Sequence, residues 1–218
     1  MALAIFDLDN TLLGGDSDHA WGQFMVEQEL VDAEAYAEAN DRFYQDYQQG
    51  RLDIESYLTF ALAPLAERSM AELDVLHRQF MIEKIEPMML PAAEQLIDNH
   101  RRQGDMLMVI TSTNSFVATP ISRALGIEHC LCSQAEIRNS RYTGRSLSPP
   151  CFREHKITHL NRWLEQHQQT LQGSYGYSDS INDLPLLQAV DKPVVVDGDI
   201  ALLAHARSQG WPCISLRE

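Results

Sequence analysis

Along the chain, short apolar runs alternate with longer stretches in which apolar side chains return every three or four residues. The runs fall at residues 2–6, 106–110, 174–177, 194–196 and 213–216. A continuous run of this length suits a strand buried on both faces. Helical spacing occupies 91–103, 115–125, 154–168 and 200–209, with Gly104, Gly126 and Gly210 just past three of the ends. Glycine closes a helix there because it enters the left-handed conformation without steric cost. Strands alternating with helices predict an α/β fold, a doubly wound parallel sheet.

From residue 16 to residue 86 the alternation stops and only amphipathic helical pattern remains, rich in Ala, Glu, Gln and aromatic residues. This predicts a helical cap inserted into the sheet domain, with Gly14-Gly15 before it and Pro87 and Pro91 after it as boundary residues. The division expected is therefore a core of 1–15 and 87–218 and a cap of 16–86. Residues 137–150, with Asn139, Gly144 and Pro149-Pro150, predict a hairpin or loop. No internal repeat or low-complexity segment occurs.

At 218 residues and 44% hydrophobic content the chain can bury one sizeable core with a smaller subdomain. Its 31 acidic against 17 basic residues, a net charge of −14, argue against nucleic acid or an anionic membrane as partner and leave room for a small cationic ligand. Cys130, Cys132, Cys151 and Cys213 have neither zinc-site spacing nor the density of a disulfide scaffold, so reduced thiols are expected. The start has no basic segment ahead of its apolar run, and no run is long enough to span a bilayer, which makes the cytoplasm the expected location. Nothing in the pattern specifies an oligomeric state.

The chemistry gathers at the predicted strand ends, where ligands of open α/β sheets bind. Asp7 and Asp9, in DLDNT, follow the first run directly. Two close carboxylates repel unless a cation or a shared proton relieves them, and Mg²⁺ with its oxygen ligands is a natural partner. An isolated pair of this kind would equally be a solvated turn. The second run ends in VITSTN, where Thr111, Ser112 and Thr113 offer hydroxyls near a helix start, a place for phosphate oxygens or simply a helix cap. Lys156 begins a later helix, and Asp179 and Asp183 follow the run at 174–177; each alone could be a surface charge or a cap.

Taken in order, DxDxT, a hydroxyl, a lysine and an Asp pair four apart make the sequence resemble the haloacid dehalogenase-like superfamily, in its phosphoserine phosphatase-like branch with a C1-type cap. The resemblance covers nearly the whole chain. It implies that Asp7 is the nucleophile forming an aspartyl-phosphate and that Asp9 is general acid and then general base. It further implies Mg²⁺ held by Asp7, the Asp9 carbonyl and Asp179, phosphate held by Thr111, Ser112 and Lys156, and Asp183 with Asn182 supporting from behind. The fourth motif of the family begins Gly-Asp; here Ser178 precedes Asp179.

The branch carries an acid for a substrate amine, and Asp16 stands at the matching place; the cap arginine for a substrate carboxylate is missing after GRLDIESYL, with Arg51 and Arg68 as possible substitutes. A site that keeps the acid and loses the arginine suits an amino alcohol phosphate. Asp16, Asp18, His19 and Trp21 could receive an ammonium and an imidazole ring, as in L-histidinol phosphate. Phosphoserine or another small phosphomonoester is the alternative substrate. A non-enzymatic phosphoacceptor or metal-binding sensor is the alternative class, against which the acid/base position of Asp9 and the large cap both argue. Phosphoryl transfer between positions of a sugar is a third reading.

Overall fold

The computed structural model describes residues 2–217. Among these residues eight strands form: β1 (Leu3–Phe6), β2 (Met106–Asn114), β3 (His129–Ser133), β4 (Ala135–Arg138), β5 (Arg141–Ser146), β6 (Tyr175–Ser178), β7 (Lys192–Val196) and β8 (Cys213–Ile214). Six of them make one sheet in the order β3-β2-β1-β6-β7-β8, every pair parallel. The central strand β1 is buried along its length. Ala4 and Phe6 face one hydrophobic cluster and Leu3 and Ile5 the other, so the two-residue alternation of one strand feeds both cores of a doubly wound sheet.

The inserted segment folds into α1 (Ser17–Glu27), α2 (Ala33–Gln48), α3 (Ile54–Ala66) and α4 (Met70–Phe80). Each begins at a side-chain cap, Asp16, Asp32, Asp53 and Ser69 in turn, and Ser69 with Glu72 completes a reciprocal capping box. A π-helical turn, Met81–Ile85, and a short 3₁₀ turn, Glu86–Met88, lead back to the sheet. The two ends of the insertion meet: Gly14 N–H donates to the Met88 carbonyl at 2.7 Å and Leu13 bridges Met89. Trp21, Phe24, Leu58, Leu62 and Phe80 of the insertion share one cluster with Phe6, Val109 and Phe116.

The other helices are α5 (Pro91–Gln103), α6 (Ser115–Ala124), α7 (Glu154–His167), α8 (Leu184–Ala189) and α9 (Ile200–Gln209). Helices α5 and α9 have the predicted limits and end on left-handed Gly104 and Gly210. Two elements lie outside the pattern read above. Strand β3 is an edge strand of His, Cys, Leu, Cys and Ser with no long apolar run, and α8 is only six residues long. The predicted hairpin begins two residues earlier than expected, as β4 and β5 joined through Asn139 and Ser140, both at positive φ. It packs on α3 so closely that a Cβ on Gly144, at φ +76, would lie 3.3 Å from the Ala63 Cα.

Candidate active site

β1 delivers Asp7 to the carboxyl edge of the sheet, where its N–H continues the ladder to the Tyr177 carbonyl at 2.9 Å. The chain then turns sharply. Asn10 adopts φ 57 and its N–H donates to the Gly15 carbonyl at 3.0 Å, which brings the start of α1 back over Asp9. Ser17 N–H donates to Asp9 Oδ1 at 2.6 Å, and Thr113 Oγ1 donates to Asp9 Oδ2 at 2.5 Å. Strand β2 runs four residues beyond its predicted end. Thr111 and Thr113 are therefore fixed on the strand itself, with Thr113 N–H donating to Thr111 Oγ1 at 3.2 Å, while Ser112 between them is half-buried.

Lys156, in the first turn of α7, is 3% exposed, and its Nζ lies 2.8 Å from Asp7 Oδ1 and 2.7 Å from Asp183 Oδ1. Burial opposes its charge, but Asp183 and Asp7 more than reverse that and hold the ammonium protonated. Ser178, in place of the motif glycine, donates its hydroxyl to Asp183 Oδ2 at 2.8 Å. Thr11 Oγ1 donates to Asp179 Oδ1 at 3.0 Å. Motif spacing gives neither hydroxyl a part, although Thr11 stands within DLDNT. Asn182 donates its amide to Ser180 Oγ at 3.2 Å and accepts from Arg153 Nε at 3.1 Å.

Asp7, Asp9 and Asp179 are all pushed up by burial, Asp179 to about 7, with Asp183 adding to the effect at Asp7 and Asp179. Among the described residues a single ammonium, that of Lys156, pairs with Asp7 and Asp183 and acts on Asp179 through its charge, so negative charge is in excess at this edge. Among the described residues no three His, Cys, Asp or Glu side chains converge into a closed metal cage. The Asp9 carboxylate is spoken for by Ser17 and Thr113, so a cation here would rest on two carboxylates completed by a backbone carbonyl and water. That donor set fits Mg²⁺, which keeps several waters and seldom sits in an all-protein cage.

Beside the acid pair lies a cavity lined by Asp7, Asp9, Asp16, Asp18, His19, Asn40, Phe43, Tyr44, Tyr47, Leu52, Ile54, Tyr57 and Thr111 to Thr113. Four aspartates and no lysine or arginine appear in that lining. Asp16 caps α1 through His19 N–H at 2.8 Å, and burial followed by the nearby Asp9 charge pushes it up to about 8. Asp18 accepts from Asn114 Nδ2 at 2.7 Å and is raised by burial and by Asp16. His19 stacks on Tyr44 at 4.5 Å and reaches Asp41 at 2.9 Å. Tyr44 and Tyr47 also line an adjoining cavity that holds Asp179.

Trp21 does not belong to the site. It is 2% exposed, with its ring against Phe24, His77, Phe80 and Phe116. On α1 it points away from His19, two positions before it, and the pull of the core decided its direction. The two arginines considered as substitutes are also elsewhere. Arg51 is exposed and pairs with Asp46 at 2.9 Å, while Arg68 donates to the carbonyls of Pro64 and Leu30.

A strand-end acid pair, a hydroxyl-bearing second strand end, a buried lysine and a second acid pair on a parallel sheet define a class. The model of the haloacid dehalogenase-like hydrolases matches residues 4–188, and the chain belongs to that family. It is 47% identical over 99% of both chains to a histidinol-phosphatase of Neisseria meningitidis serogroup C. A crystal structure of a Bordetella pertussis protein of unknown function superposes with a TM-score of 0.92 at 39% identity, covering 99% of this chain and 98% of that one. A substrate-bound phosphoserine phosphatase shares the fold, with a TM-score of 0.72 at 15% identity over 100% of this chain and 94% of that one.

Proposed function

We propose that the protein is a Mg²⁺-dependent phosphatase of a small amino alcohol phosphate, L-histidinol phosphate, with residues 16–86 as the cap over its site. The observation that carries the substrate is the cavity lining, which offers carboxylates and aromatic rings but no lysine or arginine. An ammonium and a flat ring are welcome there, whereas a substrate carboxylate would face Asp16 and Asp18. The full-length likeness to a histidinol-phosphatase supports the same choice. Free cysteines and an acidic composition fit the cytoplasm, where we place it. Among the described residues no helix is long and apolar enough to cross a membrane.

Lys156 pins the Asp7 carboxylate through Oδ1, and among the described residues no hydrogen bond is made to Oδ2. Asp7 attacks the phosphorus, the bond from phosphorus to the alkoxide oxygen breaks, and an aspartyl-phosphate forms. Asp9, steadied by Ser17 N–H and Thr113 Oγ1, gives its proton to the leaving oxygen. It then takes a proton from the water that cleaves the aspartyl-phosphate, releasing inorganic phosphate and restoring Asp7. Thr111, Ser112 and Lys156 hold the equatorial phosphoryl oxygens and offset the charge that develops on them. Asp7, the Asp9 carbonyl and Asp179 would hold Mg²⁺, which would supply Lewis-acid screening between nucleophile and phosphate.

The test is phosphate release from L-histidinol phosphate, L-phosphoserine, sugar phosphates and nucleotides, with EDTA and Asp7→Asn controls. Preference for histidinol phosphate, lost with EDTA and reduced at least about a thousandfold in Asp7→Asn, is expected. Preference for phosphoserine would overturn the substrate, and near-normal turnover by a folded Asp7→Asn would overturn the nucleophile.

A further inference from the structure

The residue leading into α7 holds a backbone conformation that helix capping does not require. Arg153 stands at φ +50 and ψ −125. Residues with a Cβ stay in that region only when their surroundings hold them there. The side chain shows what does the holding. Its Nη2 donates to the Gly50 carbonyl at 2.6 Å, its Nε donates to Asn182 Oδ1 at 3.1 Å, and its guanidinium carbon lies 4.8 Å from the centre of the Phe152 ring.

Gly50 lies in the turn between α2 and α3, and Asn182 in the turn that carries Asp179 and Asp183. One side chain from the sheet domain thus bridges the helical insertion and the acidic loop, two segments more than a hundred residues apart. Gly50, Asn182 and Asp179 also line one cavity, together with Tyr44 and Tyr47, so the bridge crosses the seam through which the insertion meets the site. Arginine suits such a bridge because its planar fork serves two diverging acceptors at once. Among the described residues no carboxylate pairs with Arg153; its partners are a carbonyl and an amide, which water can replace at small net cost. A contact of that strength is suited to opening and closing.

We propose that Arg153 is a positioning residue, a latch that holds the α2–α3 turn against the site and, through Asn182, sets the loop bearing Asp179 and Asp183. Closing the insertion and aligning that loop are then one event. The kinetic part of this inference rests on the phosphatase reading; the structural part does not.

The test uses the full chain with Arg153→Gly, which tolerates the backbone conformation without strain, and Arg153→Lys, which can serve one acceptor at a time. Backbone hydrogen exchange is followed at residues 49–53 and 180–183, with β1 and β2 as internal references. Initial rates are measured with L-histidinol phosphate and with p-nitrophenyl phosphate, which lacks the amine. Arg153→Gly is expected to speed exchange in both segments by about 3- to 10-fold while the reference strands keep their rates. KM for histidinol phosphate should rise by a similar factor, with a smaller fall in kcat and a smaller effect on the aryl ester, and Arg153→Lys should lie between. Unchanged exchange in either segment overturns the latch, as does an equal rise in the reference strands. If both segments loosen and the wild type hydrolyses neither ester, the latch stands and the phosphatase reading falls.

Discussion

A buried carboxylate needs something to answer its charge, and the aspartates of this site differ in what answers them. Asp183 has Lys156 and the Ser178 hydroxyl, and Asp9 has a backbone N–H and a threonine. Asp16 accepts the His19 N–H and lines the cavity with three other aspartates, and under the proposed function its charge is answered by the ammonium of the ligand. Replacing it, Asp16→Asn, is expected to raise KM for an amino alcohol phosphate by about tenfold or more, since a hydrogen bond to a charged group contributes about 1.5–3 kcal/mol. An ester without an amine should be nearly unaffected. Burial pushes Asp16 up to about 8, so it gains its charge as pH rises through that value. KM for the cationic substrate should therefore fall across that range in the wild type and stay flat in Asp16→Asn, as pH-resolved initial rates would show.

Among the elements, those with strong local signals were legible and those set by neighbours were not. Helix α5 follows its pattern from Pro91 to Gly104 because proline at the first turn and a left-handed glycine at the end are chemical stops. Strand β3 carries no such signal; it becomes a strand because β2 offers it a hydrogen-bonding edge. The β4–β5 hairpin was visible in Asn139 and Gly144, but its docking on α3 was not. That docking gives Gly144 a second constraint beyond its positive φ. Gly144→Ala is expected to cost about 1–2 kcal/mol, combining left-handed strain with the close approach to Ala63. Thermal unfolding should register it as a Tm lower by about 3–6 °C.

Across the molecule, one hydrophobic cluster runs without a break from the sheet into the inserted helices, and His77 of α4 lies within it against Trp21, Phe80 and Phe116. Burial lowers its pKa from the ordinary 6.5, so the unfolded chain takes up a proton at a higher pH than the folded protein does. Its contribution to stability is complete above about 6.5 and is lost as pH falls toward the folded value. In that window the wild type should lose up to about 1.4 kcal/mol per pH unit through this group alone. Denaturant titrations should show a shallower acid limb in His77→Gln; an identical limb would place the loss elsewhere.

The order of apolar runs, helical spacings and strand-end acids was enough to define the α/β sheet, the helical insertion and Asp7, Asp9, Thr111, Lys156, Asp179 and Asp183, because each depends on short-range periodicity or on motif spacing. Which way a side chain on the insertion would face was not available at that range. Helix geometry turns Trp21 and His19, two positions apart on α1, to opposite sides, but only packing decided that the Trp21 side fills the core and the His19 side lines the cavity. The contacts of Ser178 with Asp183, Thr11 with Asp179 and Arg153 with Gly50 join residues whose pairing no local pattern encodes. The β1–β6 pairing brings Thr11 to Asp179, and packing of the insertion on the sheet brings Gly50 to Arg153, contacts that exist only once the chain has folded because they join positions far apart in sequence.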